Sequence, residues 1–330
     1  MATVTITSDL GYFHINEALS QYAQGYGQDA DAFIAAKIAP IIEVDNKSDQ
    51  YYIGDTSHLQ LHDLARTPGS VFAQLEWIVS EDGYICKSYG AEVTAPFEMA
   101  RNADAAIAVE QENVTLAVDG LMLGSEYRTM LAATNTSTFA HAAAHGGNAG
   151  ATKWNAFTTG VSSGDPYFDI EAAKTTVVDT IGHLPNTMWM NYNTWRALFN
   201  NTFVKARVLN TEPGAMITPA ILANLYDLDQ VLIAKSLYDS SVPGSGGSPA
   251  FSYIWPDGVV GLAYIDNRIG PLLSKILAPL RTFVWTEMGG RFASRSYVDD
   301  RRAANVVQCV DYVDEHVTCA GAQALITGCI

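Results

Sequence analysis

Long apolar runs, cysteine frameworks and basic charge are all scarce in this 330-residue chain. No stretch approaches the run of about 18 apolar residues that a membrane-spanning helix needs, so no membrane partner is expected. The opening MATVTITSDLGYFHINEALSQ lacks the basic start and apolar centre of a secretory signal, which points to assembly inside the cell. Cys86, Cys309, Cys319 and Cys329 are too few and too scattered for a disulfide framework, and none forms a C-x-x-C pair. Buried free thiols are the expectation, with a disulfide among the evenly spaced last three left open. Basic residues number 19 against 35 acidic ones, a net charge of -16, and a chain this acidic repels phosphate. Any contact with nucleic acid should be local and without sequence specificity.

Catalytic signatures are missing as well. The sequence contains no G-x-S-x-G, no H-E-x-x-H, no phosphate loop and no G-x-G-x-x-G between a strand and a helix. Two histidine pairs have the spacing that lets imidazoles share a metal on a helix, His141 with His145 and His58 with His62. The first lies in an Ala- and Gly-rich stretch without carboxylates, and the second reads as exposed loop residues beside Asp55 and Asp63. No catalytic residue, metal or cofactor is therefore expected, and a metal-dependent hydrolase is the weakest alternative.

What is present is patterning. Hydrophobic residues make up 48% of the chain and charged ones 16%, enough for a substantial core. The acidic excess sits early, with 5 Lys and Arg against 18 Asp and Glu in residues 1 to 120. Residues 1 to about 50 read as an arm with little core of its own, in which Pro40 ends a helical start and hands over to an extended run. From Tyr51 to about Glu92, strand-like segments flank a polar middle, with Glu81, Asp82 and Gly83 as turn residues. Residues Asn102 to about Ala133 predict one long helix, with Val114, Ala117, Val118 and Leu121 on one face.

A mixed helix and strand unit follows. Asp169 is the expected N-cap of a helix ended by Gly182, TMWM a buried strand, Asn193 the cap of a second helix, and Thr218 and Pro219 the start of a third. SVPGSGGSP reads as a flexible loop, and FSYIWPDGVVGLAYI as a hairpin turning at Pro256, Asp257 and Gly258. The C-terminal strands should pair with strands flanking the long helix. Arg281, Arg291, Arg295, Arg301 and Arg302 form the one basic concentration. Either they touch phosphates or they supply guanidinium partners to carboxylates of a neighbouring subunit, and the acidic N-terminal part favours the second.

This order of parts resembles the major capsid protein family of tailed bacteriophages. The resemblance is carried by SDQYYI followed by ARTPGSVFAQLEW, by AEVTAPFEMARNADA leading into the long helix, by Trp154, and by GDPYFDIEAAKTTVVDTIGHLPNTMWMNYNTWRAL. It implies an α+β chain with the Hong Kong 97-type fold: an arm at 1–50, an extended loop at 51–92, a peripheral domain at 93–164 and 271–330, and an axial domain at 165–270. It further implies hexamers and pentamers closing into an icosahedral shell around double-stranded DNA, with portal, scaffold or decoration proteins as further partners and the virion as location. No charged scaffolding region precedes the arm, which implies a separate scaffold or a trimmed form. Relatives that crosslink do so through a Lys and an Asn; Lys47 and Lys87 lie near the loop, but no acceptor is identifiable and no crosslink is expected. An encapsulin-like compartment shell is the nearer alternative.

Overall fold

The computed structural model describes residues 32–54, 61, 64–65, 68–69, 72, 79–98, 106–143, 153–155, 164–211, 217–241, 250–268 and 277–330. A short helix α1 (Ala35–Ile38) stops before Pro40, and the chain passes into strand β1 (Ile41–Val44), as the proline requires. Strands β2 (Ser48–Gly54) and β3 (Val79–Ile85) pair antiparallel as a hairpin. Glu81, Asp82 and Gly83 lie inside β3, opposite Tyr52, Tyr51 and Gln50, and do not form the expected turn. The break falls instead at Cys86, before β4 (Lys87–Pro96). Asp82 stays in a strand because its carboxylate accepts from Tyr51 OH at 2.9 Å across the ladder.

Helix α2 (Ala106–Ala133) spans 28 residues, on the order of 42 Å. Val114, Ala117, Val118 and Leu121 are buried as the spacing predicts, against Val307, Cys309 and Phe292. Its last turn is tied down by side chains from elsewhere. Gln323 Nε2 donates to Ala133 O at 2.7 Å, satisfying a carbonyl that has no intrahelical partner.

Strands β11 (Leu280–Trp285), β12 (Ala293–Asp299) and β13 (Ala304–Val317) form a sheet in the order β1-β11-β13-β12, with β4 also paired to β13. β13 thus pairs with the strand that precedes the long helix, as expected. The pairing of β4 with β13 runs from Pro96 opposite Ala304 to Lys87 opposite Val313.

The second five-stranded sheet is built from β5 (Ala140–Ala143), β6 (Thr187–Asn191), β7 (Gln230–Ala234), β10 (Val260–Ala263) and β14 (Gln323–Thr327), in the order β5-β14-β10-β6-β7. Helices α3 (Pro166–Ile181), α4 (Tyr192–Asn200), α5 (Thr202–Thr211) and α6 (Pro219–Leu225) accompany it. Trp154, Ile170, Val177, Met188, Leu198 and Leu222 sit at the centre of the associated core. Here the caps shift from expectation. Asp165, not Asp169, caps α3, because Pro166 at the first helical position sets the start four residues earlier. Asp165 accepts from Tyr167 N at 3.1 Å and binds Arg207 through two bonds of 2.5 and 2.7 Å. Asp169 accepts instead from Trp154 Nε1 at 2.9 Å.

Asn191, not Asn193, caps α4, accepting from Thr194 N at 2.8 Å. Gly182 ends α3 with φ 72°, and Thr218 with Pro219 opens α6, both as the sequence predicts. Strands β8 (Leu237–Asp239) and β9 (Phe251–Tyr253) form a separate hairpin. β9 and β10 therefore do not pair with each other: the chain does turn at Pro256 to Gly258, but it carries β10 into the large sheet between β6 and β14. The loop 242–249 lies outside the described residues.

Candidate assembly surface

Two places join separate parts of the chain, the first around a half-exposed carboxylate and the second around a buried one. The first is the root of the β2/β3 hairpin. Tyr84 stacks on Phe283 of β11 with ring centroids 4.5 Å apart, and Tyr51 lies 5.5 Å from the same ring. Asp82 accepts from Tyr51 OH and lies 2.9 Å from His316 Nε2 on β13; its partnership with His316 holds its carboxyl below the usual range. Burial, then the bond to Asp82, pushes the Tyr51 phenol up. Ile85 N donates to Asp314 at 3.0 Å. The hairpin is thus fastened at its base while its far end, at Gly54 and Val79, leads toward residues that lie mostly outside the described set.

The second is the buried face of α2. Glu126 is 1% exposed, and accepts from Ile34 N at 3.0 Å, Ala35 N at 2.9 Å and Trp255 Nε1 at 2.6 Å. Burial raises its carboxyl above the ordinary value, and the three donors oppose that rise. Trp255 packs on Trp189 at 4.8 Å, and Trp189 Nε1 donates to Gln323. One carboxylate thereby ties the start of α1, the long helix and the loop before β10 together.

Two residues further along, Arg128 donates to Glu315 of β13 through Nε at 2.9 Å and a terminal nitrogen at 2.8 Å, with its guanidinium 3.6 Å above the Tyr89 ring. Asp311, 1% exposed, has Arg291 at 3.6 Å, and burial pushes its carboxyl up. Glu315→Gln is expected to cost about 2 kcal/mol, because half of a charge-assisted fork is lost in a mostly buried setting. A urea midpoint unchanged from the parent would refute this.

The five predicted arginines are not alike. Arg281 is 2% exposed in β11, reaches Asp266 O at 3.5 Å, and has its pKa lowered by burial. Arg291 faces Asp311 and donates to Ser125 at 3.1 Å. Arg295 donates to Gln308 at 2.6 Å, and Arg302 pairs with Glu92 at 3.1 Å. Arg301 is exposed in the turn between β12 and β13, and makes no ion pair among the described residues. The structure therefore places Arg301 and Arg302 in the turn of the β12/β13 hairpin, Arg295 within β12 opposite Gln308, and Arg281 in the interior.

Metal-binding expectations are easily located. His141 lies on strand β5, so the helical geometry considered for the His141 and His145 pair does not apply. His145, His58 and His62 lie outside the described residues. No metal-ligating group of three side chains occurs among the described residues, and all four cysteines are free.

Sequence reasoning missed Glu126, although a signal was available. It continues the buried four-residue series Val114, Val118, Met122, Glu126, Met130, and a carboxylate on an apolar stripe asks for donors.

Several large apolar side chains remain on the surface: Phe251 and Leu237 on the β8/β9 hairpin, Val298 on β12, and Leu116, Tyr127 and Leu131 on α2. The described fold offers contact surface in three separate places and a cluster of chemistry in none.

No family model matches this chain, and no curated protein does. Solved structures do. A phage-related protein from Bordetella bronchiseptica superposes with a TM-score of 0.72 at 18% identity, over 96% of this chain and 98% of that one. The virus-like particle from Pyrococcus furiosus gives 0.55 at 9% identity, over 96% and 100%. The capsid of the cyanophage P-SCSP1u gives 0.54 at 13% identity, over 90% and 88%. With its long helix, its two five-stranded sheets and the β2/β3 hairpin, this chain has the Hong Kong 97-type fold of phage capsid proteins.

Proposed function

We propose that this chain is a structural subunit that assembles with copies of itself, as hexamers and pentamers, into an icosahedral capsid enclosing double-stranded DNA. The observation that carries the reading is the likeness of nearly the whole chain to capsid structures, over 90% of its length for the cyanophage capsid and 96% for a prophage's putative capsid protein. Physical considerations support it. Shells are built from repeated heterologous contacts, and parts that project from a subunit add contact area that a compact subunit lacks. Residues 1–50 serve as the arm, 51–92 as the extended loop, 93–164 with 271–330 as the peripheral domain, and 165–270 as the axial domain. The subunit is not an enzyme, and its place is the virion shell, assembled in the host cytoplasm. An acidic wall of net charge -16 does not attract DNA, so the genome must be driven in, through a portal, and scaffold or decoration proteins are further partners.

The likeness to the Pyrococcus particle supports a second reading, a compartment shell that encloses something other than a genome. The test is expression of the full chain alone, a sizing column and electron microscopy. Closed particles, tubes or capsomer rings are the expected result. A monomer that stays monomeric after co-expression with its neighbouring genes would overturn the proposal, and particles that protect protein rather than DNA from digestion would favour the second reading.

Of the five arginines, Arg301 is the one best placed to meet a carboxylate of a neighbouring copy. Arg301→Glu is expected to lower particle yield at low salt, where exposed charge pairs count most, and to leave the melting temperature of the unassembled subunit unchanged. Unaltered yield across salt concentrations would remove Arg301 from the interface.

A further inference from the structure

We infer that His316 is a proton-operated latch at the root of the β2/β3 hairpin: as imidazolium it clamps the hairpin to β13, and on losing its proton it lets the hairpin pivot on its aromatic contacts. His316 Nε2 lies 2.9 Å from Asp82 Oδ2 on β3, and Nδ1 lies 3.9 Å from Asp314 Oδ2 on β13. The ring therefore sits between two carboxylates, one on the hairpin and one on the sheet. The same Asp82 oxygen accepts from Tyr51 OH on β2 at 2.9 Å, and the same Asp314 oxygen accepts from Ile85 N on β3 at 3.0 Å. Both strands of the hairpin thus meet β13 around one imidazole.

Imidazole is the side chain whose charge changes near neutral pH. The side chains of His316 and Asp82 are 29% and 38% exposed, so solvent reaches the ring to exchange its proton. The surrounding groups fix the sign of the effect. Asp82 on β3 and Asp314 on β13 attract a positive ring, whereas Arg281 on β11 stands directly opposite His316 in the strand register and opposes it. Tyr51 on β2 meets the ring edge-on with centroids 6.3 Å apart, and Phe283 on β11 lies at 6.5 Å. Burial, then Asp82, raises the Tyr51 phenol, and burial pushes the nearby Cys86 thiol up to about 11, so neither becomes charged near neutral pH. Asp311 and Glu315 belong to the other face of β13, where Arg291 and Arg128 meet them.

Deprotonation therefore changes one thing. A neutral ring with its hydrogen on Nε2 still donates to Asp82, but as an ordinary bond and not a charge-assisted one, and its pull on Asp314 ends. Asp82 and Asp314 are left without the cation between them. What holds the hairpin then is apolar: Tyr84 stacked on Phe283 at 4.5 Å, and Tyr51 at 5.5 Å from the same ring. Aromatic pairs are favourable over a range of separations and tilts, which makes this contact a pivot. Acid opens the latch from the other side. Asp82 is held below the usual carboxylate range, first by its bond to His316, so its share of the clamp is lost as pH falls through that lowered value.

The latch operates within one subunit and is measured without assembly. The test is amide hydrogen exchange of the full chain at about pH 5.5 and about pH 8, with rates corrected for the pH dependence of the chemical step. Peptides covering 79–86 report the hairpin root, and 187–191 of β6 serve as the reference. In the parent, protection of 79–86 relative to the reference is expected to fall about threefold or more from the lower to the higher pH. His316→Gln keeps a side-chain donor but does not titrate, and its ratio should be the same at both. A parent ratio independent of pH would overturn the latch, as would a Gln variant that keeps the parent's pH dependence. Asp82→Asn offers Tyr51 and His316 an uncharged acceptor and should reduce the pH effect to less than about half; an effect as large as the parent's would also overturn it.

Discussion

Replacing Glu126 by alanine is expected to destabilise the subunit by about 4 kcal/mol, because two buried donors and a half-buried one lose their acceptor at once. The backbone N–H of Ile34 and the indole N–H of Trp255 have no solvent to turn to, since Ile34 and Trp255 are each 1% exposed. The loss should be local as well as global. Proteolysis within residues 27–40 should accelerate before the rest of the chain opens, because the arm is held to α2 by these bonds. Urea denaturation and limited proteolysis of the unassembled subunit would measure both, and a midpoint within about 1 kcal/mol of the parent would refute the assignment.

The same carboxylate has a pH signature. Its folded-state pKa is raised by burial above the ordinary 4.5, so its contribution is fully present below that value and is lost as pH rises through the folded pKa. Glu126→Gln removes the titration. The stability gap between parent and Gln variant should therefore narrow as pH rises from about 4.5, and a gap independent of pH would show that the carboxyl titrates normally.

Gly261→Ala is expected to cost about 3 kcal/mol or more, although it adds one methyl group. Gly261 is paired with Trp189 across β10 and β6, and an alanine Cβ would lie 2.1 Å from Trp189 Cε2. The indole cannot swing aside. It is 1% exposed, packed on Trp255 and hydrogen-bonded to Gln323. Relief must come from spreading the strands or displacing both tryptophans, which loosens the link between the second sheet and the end of α2. A shift in the urea midpoint together with a change in tryptophan fluorescence is the expected readout; an alanine variant as stable as the parent would mean that the sheet yields easily at its centre.

Much of the architecture could be read from local pattern. The stop at Pro40, the long helix with Val114 to Leu121 inward, the end of α3 at Gly182 and the start of α6 at Thr218 and Pro219 follow from φ restrictions, helical period and capping, which act within a few residues. The overall order of parts was sufficient to suggest the fold that the solved structures share.

Where local signals competed, tertiary contacts decided. Glu81, Asp82 and Gly83 have turn propensity, yet Tyr51 and His316 hold Asp82 in a strand. Phe251 to Ile265 has the form of a hairpin, but β10 finds partners on both sides in β6 and β14, and β9 is left to β8. The five arginines look equivalent in sequence, and only the packing of β11 distinguishes the buried Arg281 from the exposed Arg301. The junction at Glu126 depends on residues 91 and 129 positions away in the chain, a separation that no periodicity or cap encodes. Sequence by itself determined the course of the long helix, its buried face and the stops at Pro40 and Gly182, because those preferences are short-ranged; which cap was used, which strands pair and which charges are buried was decided by the tertiary structure, because only there do distant donors and acceptors lose water together.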